Sequence, residues 1–414
     1  MNTAIEVLGN VVRFEHPADA VLSRYFREHP ALGQKDRGLI AESVFGVLRH
    51  KRVLECASGK TGAHELLVTW LVRCGDLPLA DAAALLKRED SDWLALAKDA
   101  SAEGLPLPVR AELPDWVYER LRARMSDGEI LELGHALQQP APLDLRVNVH
   151  RSDRRTVLEA LRASGIEARE TPYSPVGLRI EGRPAINRHP LFLDGTIEVQ
   201  DEGSQLIGFL LAPKRRDLVV DFCAGAGGKS LMLGAMMHSQ GRVYAFDISP
   251  ARLARLQPRL KRSGLSNLQP YLIRDEHDTK VKRLGRKIDR VLVDAPCSGL
   301  GTLRRNPDLK WRQSPESVEE MRAKQGDILR AASRLVKPGG RLVYATCSLL
   351  AEENEDVADA FLHENGGFVE LPADDLLRQQ GVSLSVGPRM RLWPHVHGTD
   401  GFFAAAFERQ SSSI

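Results

Sequence analysis

The sequence predicts a C-terminal α/β domain with a parallel, doubly wound sheet, preceded by an all-α region and a small α+β unit. Three observations carry this. From Leu218 onward the short apolar runs LVVDF, RVYAF, LQPYLI, RVLVD and RLVYA alternate with helical stretches, as strands and crossover helices do in a parallel sheet. The first run leads directly into a glycine-rich turn, Ala224-Gly225-Ala226-Gly227-Gly228, at the place where such sheets bind nucleotides. Residues 1–139 show helical spacing instead. At 414 residues the chain is too long for one ordinary core.

Each element follows from its residues. Leu39, Ile40, Val44, Val47 and Leu48 recur at helical spacing, as do Leu66, Leu67, Trp70 and Leu71 before Gly75. Pro114 sits near the start of the helix PDWVYERLRARM, where its missing N–H is harmless. QQPAP, residues 138–142, reads as a linker because two prolines stop a helix. LDLRVNV and GLRI read as strands around the helix RRTVLEALRASG, a unit ending near Gln200. Phe402 to Phe407 reads as the last strand of a hairpin. The expected domains are therefore 1–139, 140–205 and 206–414.

Composition narrows the class. With 43% apolar and 27% charged residues and no repeats, the chain has a globular make-up. The start, MNTAIEVLGN, lacks a basic stretch followed by a long apolar run, and Leu206 to Pro213 is too short to span a bilayer. A cytoplasmic monomer without membrane contact is expected. The five cysteines (56, 74, 223, 297 and 347) contain no CxxC pair, so neither a disulfide framework nor a zinc site is indicated. HVH at 395–397 lacks a third ligand nearby, and no metal is expected. The net charge is +2, but Lys280 to Arg312 holds ten Lys/Arg against three Asp, and a second basic cluster runs from Arg252 to Arg262. By itself such a run is a solvated face. Flanking a catalytic motif, it points to nucleic acid.

The glycine turn and the residues around it form a candidate cofactor site. Cys223 to Lys229 would approach a ligand through backbone, and Asp247, twenty residues after Gly227, would accept hydrogen bonds from ribose hydroxyls. NAD and S-adenosylmethionine are served alike by this geometry. The GGKS ending is not a phosphate loop, since position 223 is Cys rather than Gly. Asp275, after the third strand, is the candidate for the adenine end. Two cysteines then follow two neighbouring strands, in Asp294-Ala295-Pro296-Cys297-Ser298-Gly299 and Ala345-Thr346-Cys347-Ser348. A single buried Cys is usually an inert small hydrophobe. Two at adjacent strand ends should open on one crevice, beside the cofactor loop.

At these residues the sequence resembles the RsmB/Sun (Nop2/NSUN-like) family of RNA cytosine-5 methyltransferases. The blocks that carry the resemblance are VQDEGSQ (199–205), DFCAGAGGKS (221–230), VDAPCSGLGTLRRNPDLKW (293–311), LVKPGGRLVYATCSLLAEENE (335–355) and HGTDGFF (397–403). It covers almost the whole chain. The resemblance implies a Rossmann-like S-adenosylmethionine-dependent domain, a NusB-like RNA-binding N-terminal domain and a small RRM-like domain. This combination belongs to the branch acting on 16S ribosomal RNA. It further implies Cys347 as the nucleophile and Cys297 as the group that releases product. Asp294 and Lys229 would touch the cytosine. Cys223, Ala224, Gly225, Ala226, Gly227, Gly228 and Lys229, with Asp247, Asp275 and Asp294, would form the S-adenosylmethionine site. Two departures stand out: the usual Ala-Ala-Pro-Gly is Ala224-Gly225-Ala226-Gly227, and Glu276 and His277 replace small residues after Asp275.

The implied chemistry needs such residues. Cytosine C5 is a poor nucleophile until a group adds at C6, so a nucleophile, a partner for N3 and a base are required. A helix beginning near Ala351 would stabilise a Cys347 thiolate by about 0.3–1 kcal/mol, and Glu352 and Glu353 would oppose it. Lys229 or the bound base must therefore help. Asn354 and Asp400 are expected to be structural. Arg304, Arg305 and Lys310 are expected on the RNA side. Rival readings are a tRNA-directed enzyme of the same chemistry and a non-catalytic NusB-like RNA-binding factor. A DNA cytosine methyltransferase would use the Pro-Cys turn as nucleophile. A nicotinamide oxidoreductase would need a proton-transfer His or Tyr in a strand-end turn.

Overall fold

The computed structural model describes residues 2–86, 92–182 and 184–411. The chain divides into two compact units, one made of residues 1–140 and 302–315 and the other of 141–301 and 316–414. Among the described residues no helix is long and apolar enough to cross a membrane.

The first unit is helical. Its core gathers Val7, Leu8, Val44, Leu48 and Leu66 from the helices Asn2–Val11, Gln34–Arg49 and Ala63–Cys74. The helix Asp115–Arg122 starts directly after Pro114, and Asp127–Gln138 opens with a capping box between Ser126 and Glu129. Residues 302–315 group with these helices although the sequence places them in the last domain. This corrects the expectation that Arg304 and Lys310 face RNA, while Arg305 is half-buried. Lys310 is 4% exposed and Arg304 6%. The Lys310 ammonium donates to the carbonyls of Glu112 at 2.7 Å and of Arg49 at 3.2 Å. Asp308 accepts from the Ala18 N–H at 3.2 Å. Unpaired carbonyls beyond a helix end draw in a long cationic side chain whose apolar stem is then buried.

The second unit contains two sheets. In the smaller, β1 (Leu143–Val147), β2 (Ala168–Glu170), β3 (Gly177–Ile180) and β4 (Ile197–Val199) pair antiparallel in the order β2-β3-β1-β4. The helix Arg154–Ala163 covers one face with Val157, Leu158 and Leu161. β2 and β4 escape sequence reading because three residues are too few to show a period.

The larger sheet is built from β5 (Leu218–Asp221), β6 (Arg242–Asp247), β7 (Leu268–Leu272), β8 (Ile288–Asp294), β9 (Val336–Thr346), β10 (Phe368–Leu371), β11 (Met390–Leu392) and β12 (Phe402–Arg409). The order is β10-β12-β9-β8-β5-β6-β7, with β11 also paired to β12. β5 to β9 are mutually parallel, while β12 runs antiparallel to β9, β10 and β11. β12 is thus an interior strand rather than one arm of a simple hairpin, which explains the completely apolar FFAAAF. Strand order reverses between β5 and β8. Ligands bind at the carboxyl ends of strands flanking such a reversal, and both candidate motifs lie there.

Candidate active site

β5 ends at Asp221, and the backbone turns through Gly225 (φ +57°) and Gly227 (φ +83°) into the helix Gly228–Met236. Only glycine adopts these angles without strain. A Cβ on Gly225 would meet nothing within 4 Å, so that turn faces open space, whereas a Cβ on Gly227 would lie 2.0 Å from Leu256. Asp247, at the end of β6, accepts the Gly225 N–H at 2.8 Å and the Ser249 N–H at 2.7 Å. Its position is therefore fixed by the loop itself.

A cleft of about 580 Å³ opens here, within the roughly 300–1,000 Å³ typical of small-molecule sites, and Cys223, Gly225, Asp247, Asp275, Asp294 and Cys297 all line it. Ala224, Ala226, Gly227 and Gly228 are not among the residues that line it. Asp275 is exposed and accepts the His277 N–H at 2.8 Å. Glu276 also lines the cleft.

The loop is braced from outside. The Arg259 guanidinium donates to the Ala226 carbonyl at 2.7 Å and is held by Glu198 of β4 at 2.9 Å. Arg146 of β1 donates to the Gly228 carbonyl at 2.6 Å. Two cations thus hold the turn in which the sequence lacks the usual proline. Arg259→Ala is expected to weaken cofactor binding in this cleft about tenfold, since a hydrogen bond from a charged group contributes about 1.5–3 kcal/mol. Calorimetric titration checks this, and an unchanged Kd would show that the loop holds itself.

Lys229, on the first turn of the helix, donates to Asp294 at 2.7 Å and lies 5.5 Å from the Phe402 ring centre. Burial works to lower its pKa, but the charge and hydrogen bond of Asp294, with Cys347 and Asp221, outweigh it and the net shift is upward. Lys229 is therefore an ammonium at neutral pH. Burial pushes the Asp221 carboxyl up to about 7 against the hydrogen bonds from the Ser230 hydroxyl, at 2.6 Å, and the Cys223 N–H.

The two cysteines meet. Cys297 Sγ and Cys347 Sγ are 3.4 Å apart, both half-buried. Cys297 reaches the cleft directly, whereas Cys347 and Lys229 stand behind it, through Cys297 and Asp294. The hydrogen bond with Cys347, then burial, then the charges of Cys347 and Glu353 hold the Cys297 thiol well above its ordinary range. The helix expected near Ala351 is displaced: residues Ala351–Glu353 form a 3₁₀ turn and the α-helix begins at Glu355. The first helical turn therefore starts four residues later than the sequence suggested. Asn354 instead accepts from the Thr346 hydroxyl and donates to the Ser348 carbonyl at 3.1 Å, and Asp400 N–H donates to Asp201 at 3.1 Å.

Sequence reasoning missed Glu353 as a site residue and treated it only as an opposing charge. It is fully buried and accepts from Ser298 and Ser348, the residues that follow the two cysteines. The repeated Cys-Ser pair was the available signal.

Comparison with known proteins agrees with this architecture. Residues 208–408 match the family model described as 16S rRNA methyltransferase RsmB/F, and residues 113–187 match its ferredoxin-like domain. The probable ribosomal RNA small subunit methyltransferase B of Synechocystis sp. is 30% identical, covering 98% of each chain. The ribosomal RNA small subunit methyltransferase B of Sodalis glossinidius is 31% identical over 92% of each. Among solved structures, one titled PH0851 is 26% identical, covers 98% of both chains and superposes with a TM-score of 0.80. A methyltransferase homolog from Pyrococcus horikoshii, 27% identical, covers 75% of this chain and all of its own, with a TM-score of 0.64. At 30% identity along nearly its whole length, this chain belongs to the RsmB/F family of methyltransferases.

Proposed function

We propose that this chain methylates carbon 5 of a cytosine in 16S ribosomal RNA, with S-adenosylmethionine as donor, through a covalent bond between Cys347 and C6. The observation that carries the reading is the contact of two thiols at the edge of a cofactor-type cleft. The names of the relatives support ribosomal RNA as substrate.

Gly225 and the neighbouring backbone, Asp247 and Asp275 would hold the cofactor. When bound there, S-adenosylmethionine supplies an electrophilic methyl group for C5. The chain's own residues prepare and finish the reaction. Cys347 adds through a sulfur lone pair to C6, and the C5–C6 π pair shifts toward C5 and the N3–C4 side of the ring. The Lys229 ammonium supplies the positive charge that stabilises the density arriving on that side, and Asp294, which holds it at 2.7 Å, accepts from the cytosine amino group. In the release step Cys297, after its own thiol proton has passed to solvent through the open cleft, takes the C5 proton as thiolate. The C–H pair becomes the C5–C6 double bond, and the C6–S pair returns to Cys347 as thiolate. Timing follows from electrostatics. The main influences raising the Cys297 pKa include the hydrogen bond and charge of Cys347. Both are lost once Cys347 is bonded to C6, so Cys297 becomes easier to ionise at the stage that needs a base.

The helical unit, which holds none of the cleft residues, is assigned RNA selection. Phosphate contacts pass to the exposed run Lys280, Lys282, Arg283, Arg286 and Lys287. The test is incubation of the protein with methyl-labelled S-adenosylmethionine and ribosomal RNA from cells lacking it, followed by bisulfite sequencing. One protected cytosine in 16S RNA is expected. Label in tRNA alone would redirect the substrate, and no label in any RNA would leave a binding factor.

A further inference from the structure

The carboxylate of Glu353 joins the two cysteine turns. Its Oε1 accepts the Ser298 N–H at 2.7 Å and the Gln325 amide at 3.1 Å. Its Oε2 accepts the Ser298 hydroxyl at 2.5 Å and also the Ser348 hydroxyl. The two hydroxyls lie 3.1 Å from each other. Glu353 is fully buried, and its own carbonyl accepts the Tyr344 hydroxyl. Four donors from three separate elements therefore converge on one carboxylate. Two of those elements carry the thiols in the immediately preceding position. A buried carboxylate saturated in this way is held rigidly, because any rotation would leave a charge-assisted hydrogen bond unmade.

We propose that Glu353 is a positioning residue for product release: it locks Ser298 to Ser348 so that the Cys297 sulfur stays within reach of the adduct formed on Cys347. This rests on the two-cysteine reading above. The attacking sulfur needs only its own turn, which Thr346 and Asn354 also brace. The release step needs both turns in register, because the proton on C5 must pass to a sulfur on the other loop. Misplacement by about 1 Å costs on the order of 100-fold when two groups must meet.

The loss of Glu353 should therefore resemble the loss of Cys297. In Glu353→Ala, turnover is expected to fall about 100-fold, while a covalent protein–RNA species builds up on denaturing gels even though both cysteines remain. Glu353→Gln, which keeps the length and can re-pair with both hydroxyls, is expected to restore most of the turnover and remove the trapped band. Glu353→Asp, one methylene shorter, reports the same defect if the Ala variant does not fold, as judged by thermal unfolding and cofactor binding. Loss of activity without a trapped species in a folded Ala or Asp variant would overturn the proposal, since a general packing defect slows attack as well. Cys297→Ala run beside them separates the two levels. If it traps RNA and the Glu353 variants do not, positioning fails alone. If it traps nothing, the two-cysteine reading fails first.

Discussion

Replacing Cys297 with Ala is expected to leave the protein covalently attached to its RNA. The order of steps requires it: Cys347 still adds to C6, but nothing removes the C5 proton. The species should run as a retarded band that survives denaturation and disappears on nuclease treatment. Cys347→Ala should show no band and lose activity by roughly a thousandfold or more, as nucleophile removal does elsewhere. The double variant should match Cys347→Ala. The 3.4 Å contact makes this a sharp test, because either sulfur is close enough to reach the same base. A band in Cys347→Ala instead would exchange the two roles, with Cys297 as nucleophile in the DNA-methyltransferase manner. No band in either would remove the covalent mechanism.

The second large effect is on folding. Lys310→Ala is expected to destabilise the helical unit by about 3–5 kcal/mol, because one partner of a buried ion pair is removed. Glu112 is the partner at 3.9 Å, and its carboxylate also accepts the N–H groups of Arg52 and Val53. Burial pushes Glu112 up to about 7, with Lys310 as the main opposing charge. Without Lys310 its folded pKa rises further above the unfolded value. A carboxyl shifted upward stabilises the fold below its unfolded pKa and loses that contribution as pH rises through the folded one. Burial lowers Lys310 itself to about 8, so the defect should be largest between about pH 7 and 8 and shrink toward pH 5. Thermal unfolding of the variant in that window and at about pH 5 checks this. A variant as stable as the parent, with a shallower salt dependence of RNA binding, would return Lys310 to the phosphate-contacting role.

Much of the architecture was legible in the chain. Strands β5, β6, β8 and the second half of β9 are largely buried and read as apolar runs, which need no knowledge of their neighbours, whereas β7 at the sheet edge is only partly buried. The reversal of strand order placed the Asp221–Lys229 turn beside Asp294 and Cys297, because parallel connections leave few topologies. The convergence of Cys297 and Cys347 followed from the same rule.

What the tertiary structure alone decided concerns charge. In sequence, Lys310 and Arg304 belong to a basic run like that of Lys280–Lys287. Only one run is solvated, because carbonyls at Arg49 and Glu112, far away in the chain, accept the Lys310 ammonium. Glu353 read as a charge repelling a thiolate, and it is the acceptor on which Ser298, Ser348 and Gln325 converge. Arg146 and Arg259 carried no motif, yet they hold the cofactor turn through its carbonyls. Apolar burial is written locally, as the spacing of side chains along one element. The fate of a polar group depends on which donors and acceptors the rest of the chain brings within about 3 Å, and spacing along an element does not encode that.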